Sequence, residues 1–108
     1  MTAEPQILSV YKTGPLTVVG FGGQEVLDQV NIAVCRAEVL KLVAENKTEV
    51  LAFDLTGVKL IPSGLLGLLA SLRNQGVKIQ LYNPSEDVLD VLEITHLDKV
   101  LEVQHVKL

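Results

Sequence analysis

The chain has 108 residues, of which 48% are hydrophobic and 20% charged, a composition close to that of an average globular domain and unlike that of a disordered segment. Its net charge of −4 and its nine scattered basic residues argue against nucleic acid as a partner, because duplex binding places several Lys or Arg against phosphates. The longest uncharged stretch, residues 60–72, is shorter than the roughly 20 apolar residues that a bilayer requires, which argues against a membrane span.

The first half of the chain predicts two strands followed by a helix. Residues 7–11 form a short strand-like run that ends at the turn signal of residues 13–15, and residues 16–21 form a second run closed by Gly22-Gly23. The two runs are expected to pair as a hairpin. Apolar residues then recur at helical spacing, and Asp28 or Asn31 could cap the start of this helix. Its apolar stripe comprises Ile32, Cys35, Val39 and Val43.

The second half predicts strands that alternate with helices. Residues 50–53 form a strand that is apolar on both faces, and a turn at Thr56-Gly57 follows it. A second helix is expected to begin at Ser63 and to end before Gly76. Residues 77–82 form the next strand, and Ser85 is the predicted N-cap of a third helix. Residues 97–106 close the chain as part helical turn and part strand.

The order of these elements, β-β-α-β-α-β-α, predicts the α/β class. Strands separated by single helices require crossover connections, so the sheet is expected to be mixed, at least partly parallel, and packed against helices. Four to five strands are expected, in one domain that spans residues 1–108.

The second predicted helix differs from the other two in charge. Residues 63–72 carry no charged side chain, whereas the first helix has an ordinary charged face and the third is acidic. One stripe at helical spacing, which the sheet would bury, consists of Leu65, Leu68, Leu69 and Leu72. Leu66 lies off this stripe, and small residues complete the other faces.

Two interpretations of the glycines in this helix remain open. Glycine in a helix interior costs about 1 kcal/mol relative to alanine. Gly64 and Gly67 therefore either permit close packing against a neighbouring element or leave room for a partner that lies directly on the helix. An uncharged face with Leu66 at its rim is typical of a binding patch.

Ser63 also has two compatible interpretations. Its hydroxyl could accept a hydrogen bond from a backbone N–H as the N-cap, and Pro62 before it is common near helix starts. In the second interpretation Ser63 is a phosphoacceptor, whose phosphate would meet free N–H groups and the positive end of the helix dipole. About 1.5–2 negative charges would then be added to a neutral surface.

Four segments in order resemble a STAS domain, and in particular the bacterial anti-sigma factor antagonists: LAFDLTGV (51–58), LIPSGLLG (60–67), GVKIQLYNP (76–84) and VLEITHLDKV (91–100). The resemblance covers nearly the whole chain. It implies that a partner that is both serine kinase and anti-sigma factor phosphorylates a serine at the start of the second helix. The unphosphorylated antagonist binds that partner and frees the sigma factor, and a phosphatase reverses the modification.

An ungapped alignment over residues 58–67 puts the family's phosphorylated serine on Ser63. Pro62 stands where the family commonly has aspartate, and Gly64 where it has a second hydroxyl residue. The residues expected to contact the partner are Asp54, Thr56, Gly57, Pro62, Gly64, Leu65, Leu66 and Gly67. Asp54 could also serve only to hold the turn of residues 54–57.

These observations predict a binding protein rather than an enzyme. The sequence contains no paired carboxylates or cysteine–histidine cluster with metal-ligand spacing, so no catalytic residue, metal or cofactor is expected. The single cysteine and the absence of a secretory signal favour the cytoplasm. The alternative to a phosphorylation switch is a constitutive STAS adaptor or scaffold that binds a fixed partner or itself, as a weak homodimer.

Overall fold

The computed structural model of the chain describes residues 8–22, 24–28 and 30–106. The elements run in the order β1 (Ser9–Lys12), β2 (Leu16–Gly20), α1 (Ile32–Asn46), β3 (Val50–Asp54), α2 (Ser63–Leu72), β4 (Lys78–Tyr82), α3 (Glu86–Ile94) and β5 (Glu102–Gln104), with 3₁₀ turns at Arg73–Gln75 and Leu97–Lys99. This order confirms the α/β prediction, and the closing segment supplies the fifth strand. Ile7 and Gly23, which were assigned to the predicted hairpin, lie outside the described residues.

The five strands form one mixed sheet in the spatial order β1-β2-β3-β4-β5. β1 and β2 pair antiparallel, because only a tight turn separates them, and this pairing confirms the predicted hairpin. Each later pair is parallel, with a helix in every connection, as parallel neighbours require. No helix among the described residues is long and apolar enough to cross a membrane.

All three helices contribute to one core on a single face of the sheet. Leu51 and Phe53 of the central strand β3 are fully buried on this face, and the ring of Phe53 stacks on Phe21 with centroids 6.1 Å apart. The predicted stripe of α2 joins this core, which confirms its burial. Because alternate residues of a strand point to opposite faces, Ala52 lies on the other side of the sheet. There it is also fully buried, packed with Val18 and Tyr82.

Two of the predicted helix caps are present. Asn31, not Asp28, caps α1, and its side-chain oxygen accepts from the backbone N–H of Val34 at 3.1 Å. Ser85 caps α3, and its hydroxyl oxygen accepts from the backbone N–H of Val88 at 3.3 Å. Each bond satisfies one of the donors that a helix start leaves without an intrahelical partner.

Candidate functional site at the start of the second helix

The predicted N-cap role of Ser63 is wrong, because Pro62 is the N-cap of α2. Pro62 has extended backbone angles, φ −68° and ψ 149°, and its carbonyl accepts from Leu65 N at 3.0 Å and Leu66 N at 3.2 Å. Proline fixes φ near these values, so the helix begins after it, with Ser63 as the first helical residue. The side chain of Ser63 is exposed, and no hydrogen bond joins its hydroxyl to another described residue.

The start of α2 is electropositive without any charged side chain. Pro62 supplies no capping oxygen, and the first turn contains no acidic residue. The N–H groups of Ser63 and Gly64 precede the first possible intrahelical bond, as at any helix start. The helix dipole adds partial positive charge at this end, so the exposed Ser63 hydroxyl lies where an anion is favoured.

The two glycines of α2 have different surroundings. A Cβ added to Gly64 would lie 2.6 Å from Cδ1 of Ile32, so this glycine permits the close approach of α1 to α2. A Cβ added to Gly67 would meet no atom of another element within 4 Å. The packing interpretation therefore holds for Gly64, whereas Gly67 faces open space and no contact in the described residues accounts for it.

Leu65 and Leu66 were expected to lie on the surface that contacts a partner, and the structure places neither side chain on the exposed surface. Both side chains are buried in the core, with exposed fractions of 0% and 1%. Leu65 belongs to the stripe that faces the sheet. Leu66 is buried because α3 covers the flank of α2, where Leu66 lines a small cleft together with Val88 and Val91. The helical period of α2 alone contains no information about that second neighbour.

Asp54, Thr56 and Gly57 form a hydrogen-bonded turn after β3. Asp54 Oδ1 accepts from the Thr56 backbone N–H at 3.0 Å and from the Thr56 hydroxyl at 2.6 Å, while Oδ2 accepts from the Tyr11 hydroxyl at 3.1 Å. Gly57 adopts φ +81°, a left-handed conformation that glycine enters without steric cost. Asp54 thus holds the turn of residues 54–57, and its role in partner contact stays a prediction.

Asn83 joins this turn to Val106, which follows β5, a role that the sequence pattern did not predict. Its amide nitrogen donates to Thr56 Oγ1 at 3.2 Å and to the Val106 carbonyl at 2.7 Å, and its amide oxygen accepts from Val106 N at 2.8 Å. Asn83 has φ 54°, a region that asparagine tolerates better than most residues. That tolerance was the signal in the sequence that could have pointed to residue 83.

The turn of Asp54 and the start of α2 do not form one hydrogen-bonded site. Asp54 and Ala52 are two residues apart in β3, so their side chains point to the same face of the sheet. This face is opposite the helices. No hydrogen bond or ion pair connects Ser63 to the Asp54–Thr56–Asn83 network among the described residues. Exposed parts of Thr56, Gly57, Ser63, Gly64 and Gly67 remain available to a partner, and Pro62 is half-buried.

The described residues contain no group of three His, Cys, Asp or Glu side chains that could hold a metal ion. Cys35 is fully buried, and burial is the main reason that the pKa of its thiol is raised to about 11, with a smaller effect from Glu38. A thiol with so high a pKa is a poor nucleophile at neutral pH.

A model of the STAS domain matches residues 8–107, which is almost the whole chain. The chain belongs to the STAS domain family. No sequence among the curated proteins matches it significantly.

Three solved structures are similar to this fold. The anti-sigma factor antagonist SpoIIAA in its unphosphorylated form has a TM-score of 0.75 at 15% identity, over 90% of this chain and 87% of that one. An anti-sigma-factor antagonist (STAS) domain protein from Planctomyces limnophilus has a TM-score of 0.74 at 22% identity, over 93% and 90%. The NMR structure of the protein TM1081 has a TM-score of 0.76 at 18% identity, over 98% and 86%. At these identities the likeness concerns the fold.

Proposed function

We propose that this STAS domain is a cytoplasmic signalling protein of the anti-sigma factor antagonist type, without catalytic activity of its own, that is switched by phosphorylation of Ser63. In its unphosphorylated state it binds a protein that is both serine kinase and anti-sigma factor, and a phosphatase resets it. The observation that carries the proposal is the exposed hydroxyl of Ser63, which forms no hydrogen bond with another described residue and lies at the first residue of an uncharged helix. The similar solved structures include SpoIIAA in unphosphorylated and phosphorylated forms.

The position of Ser63 favours both states of such a switch. Because its hydroxyl is not needed as a cap, a kinase can modify it without removing a bond that holds the helix. A phosphate there accepts from the free N–H groups of the first turn and is stabilised by the helix dipole. No acidic side chain of that turn opposes it.

Phosphorylation changes the part of the surface that a partner would contact. The exposed groups around Ser63 on α2 are the backbone atoms of Gly64 and Gly67, and the absence of a Cβ at both positions permits close approach. A phosphate adds about 1.5–2 negative charges, which a partner fitted to a neutral helix start would have to desolvate. Binding is therefore expected to be lost upon modification.

A second candidate function is a constitutive adaptor or scaffold whose partner does not depend on the state of Ser63. Pro62 and Gly64 favour it. Proline at position 62 has neither the charge nor the hydrogen-bonding oxygen of an aspartate for a kinase to recognise. The contact of Gly64 with Ile32 gives this glycine a packing role that requires no partner.

The test begins with the intact mass and phosphosite map of the protein isolated from its native cells. The protein that co-purifies with it is then tested for binding to Ser63→Ala, Ser63→Asp and Ser71→Asp variants. Ser71 is a matched control, since it is an exposed serine on the same helix, near its other end. One phosphate on Ser63 is expected, together with loss of binding in Ser63→Asp only.

Thermal unfolding separates lost binding from lost folding. Aspartate at the start of α2 is expected to raise the unfolding free energy by about 0.3–1 kcal/mol through the helix dipole. A Ser63→Asp variant that is at least as stable as wild type but does not bind supports the switch. A partner that binds Ser63→Asp and wild type equally, with Ser63 unmodified under all growth conditions, refutes the switch and leaves the adaptor.

A further inference from the structure

The negative charge of this chain is concentrated in one segment. Residues 86–99 contain five of the thirteen acidic and one of the nine basic residues, so the net charge of −4 belongs entirely to this segment and the rest of the chain is balanced. The acidic side chains are exposed and consist of Glu86, Asp87, Asp90 and Glu93 on α3 and Asp98 after it.

Apolar side chains are exposed among these carboxylates. Ile94 at the end of α3 is 77% exposed, Val91 one turn earlier is 38% exposed, and Leu60 in the loop before α2 is 48% exposed. Val91 and Ile94 are neighbours on one face of α3 because they lie three residues apart. Asp87 and Asp90 lie on the same outward face, so charge and apolar surface alternate there.

A small cleft opens between α2, α3 and the loop that carries Leu60. Its volume is about 60 Å³, and it is lined by Lys59, Leu60, Ile61, Leu66, Asp87, Val88 and Val91. The lining is mostly aliphatic and includes the charged residues Asp87 and Lys59, and Lys59 forms an ion pair with Glu25 at 3.5 Å. The cleft can hold the end of one aliphatic side chain.

Ser63 lies close to the cleft along α2. Leu66, in its wall, lies three residues after Ser63, so the two are neighbours on one face of α2, with Cβ atoms about 5–6 Å apart. A protein interface of ordinary size buries about 800 Å² on each partner, which is ample to cover both.

The charge distribution decides which occupant fits. In a symmetric dimer the same patch faces itself, so the carboxylates of α3 would meet their own copies. An anionic membrane surface would be repelled in the same way. A protein segment with Lys or Arg around an aliphatic side chain matches both the charge and the cleft, because the basic groups meet the acidic residues while the anchor is buried.

We propose that the cleft between α2 and α3 is a docking site for a basic segment of a partner protein, which inserts an aliphatic side chain beside Leu60 and Val91 and pairs with the carboxylates of α3. The identification of this partner with the kinase that acts on Ser63 rests on the proposed function, whereas the docking site itself does not. Phosphorylation of Ser63 and docking in the cleft thus act on adjacent parts of one interface.

The experiment is a titration of the ¹⁵N-labelled full chain with three synthetic peptides of equal length, followed by NMR. The first peptide is an amphipathic Lys-rich peptide with leucine anchors, the second has serine for leucine, and the third has glutamate for lysine. The first is expected to give saturable shift changes at Leu60, Leu66, Val91 and Ile94. The serine peptide is expected to bind at least about tenfold more weakly, and the glutamate peptide not to bind.

Matched variants of the protein test the two parts of the site. Val91→Ser is expected to weaken binding of the first peptide about fivefold. Val10→Ser is its control, because Val10 is exposed to the same extent, 37% against 38%, but lies on β1. Asp87→Asn/Asp90→Asn is expected to weaken binding and flatten its salt dependence, whereas the control Glu45→Gln/Glu49→Gln, with both changes away from α3, leaves both unchanged.

Several outcomes overturn the docking site. Equal binding of the leucine and serine peptides, or equal effects of Val91→Ser and Val10→Ser, would show that no aliphatic side chain enters the cleft. The binding would then be non-specific electrostatic attraction. A dimer in sedimentation that Val91→Ser dissociates would make the cleft a self-interface, and binding to anionic vesicles would make it a membrane site. If Ser63→Asp weakens binding of the native partner and Val91→Ser does not, the docking site is refuted and the phosphorylation switch is not. If Val91→Ser weakens binding and Ser63→Asp does not, the switch is refuted and the docking site is not.

Discussion

Replacing Gly67 by alanine is expected to stabilise the domain and at the same time to alter the surface proposed for partner binding. Gly67 is exposed in the interior of α2, and an added Cβ meets no other element within 4 Å. Alanine in a helix interior is favoured over glycine by up to about 1 kcal/mol. The unfolding free energy of Gly67→Ala should therefore rise by about 0.5–1 kcal/mol, and the Tm of a domain of this size by roughly 2–5 °C.

Gly64→Ala is the internal comparison, because its added Cβ would lie 2.6 Å from Cδ1 of Ile32. That atom must move by about 1 Å to reach an ordinary carbon–carbon contact distance. Forcing a side chain off its rotamer costs about 0.5–1.5 kcal/mol, which offsets the gain in helix propensity. Gly64→Ala alone is therefore expected to give no net stabilisation.

Urea denaturation of a double-mutant cycle measures this contact directly. Ile32→Val removes Cδ1, so Gly64→Ala in the Ile32→Val background should be more stabilising than in wild type by about 1 kcal/mol. Binding of the native partner to Gly67→Ala is measured in parallel. If the partner lies on the helix at this point, its affinity should fall at least about fivefold, although the domain itself is more stable.

Three results would refute parts of this reasoning. A Gly67→Ala variant that is less stable than wild type would mean that the space beside Gly67 is filled. Equal stabilisation by Gly64→Ala and Gly67→Ala, with no coupling to Ile32, would mean that α1 does not approach α2 at Gly64. A partner with unchanged affinity for a stabilised Gly67→Ala variant would place the interface elsewhere.

Two further predictions concern the core. The pKa of Cys35 is raised from 9.0 to about 11 in the fold, so its contribution to stability is complete below pH 9 and is lost as pH rises from 9 to 11. The difference in unfolding free energy between wild type and Cys35→Ala should shrink over this interval, and a constant difference would contradict the shift. The buried hydroxyls of Thr17 and Thr48 lie 2.8 Å apart, and both are in reach of the Gly14 carbonyl. Thr17→Val and Thr48→Val should each cost about 1–3 kcal/mol in urea denaturation, and the double variant less than the sum, whereas strict additivity would show that the hydroxyls do not interact.

The strand and helix pattern could be predicted because it follows from local chemistry. Period-two and period-3.6 spacing of apolar residues, the turn at residues 13–15 and the cap at Ser85 each act over a few neighbouring residues. The parallel direction of the strands from β2 onwards followed from the alternation of strands with helices. A helix between two neighbouring strands returns the chain to the same edge of the sheet, so the strands run parallel. The start of α2 at Ser63 was also predicted correctly, because Pro62 disfavours a helical conformation in the residues before it.

The errors in the predicted site come from interactions between elements. Leu66 was assigned to the surface because one helix period shows one buried stripe, and only the tertiary structure packs α3 against a second flank of α2. Ser63 was assigned as a cap because a hydroxyl competes well for backbone N–H groups, but the cap position falls on Pro62.

The sequence by itself determined the elements, their order along the chain and the neutral character of α2, because these depend on residue type and spacing. Only the tertiary structure decided which glycine is packed and which is open, that Asp54 and α2 lie on opposite faces of the sheet, and that aliphatic side chains of residues 60, 66 and 91 meet in one cleft. Those facts depend on contacts between residues far apart in the chain, and no local pattern encodes the distance between them.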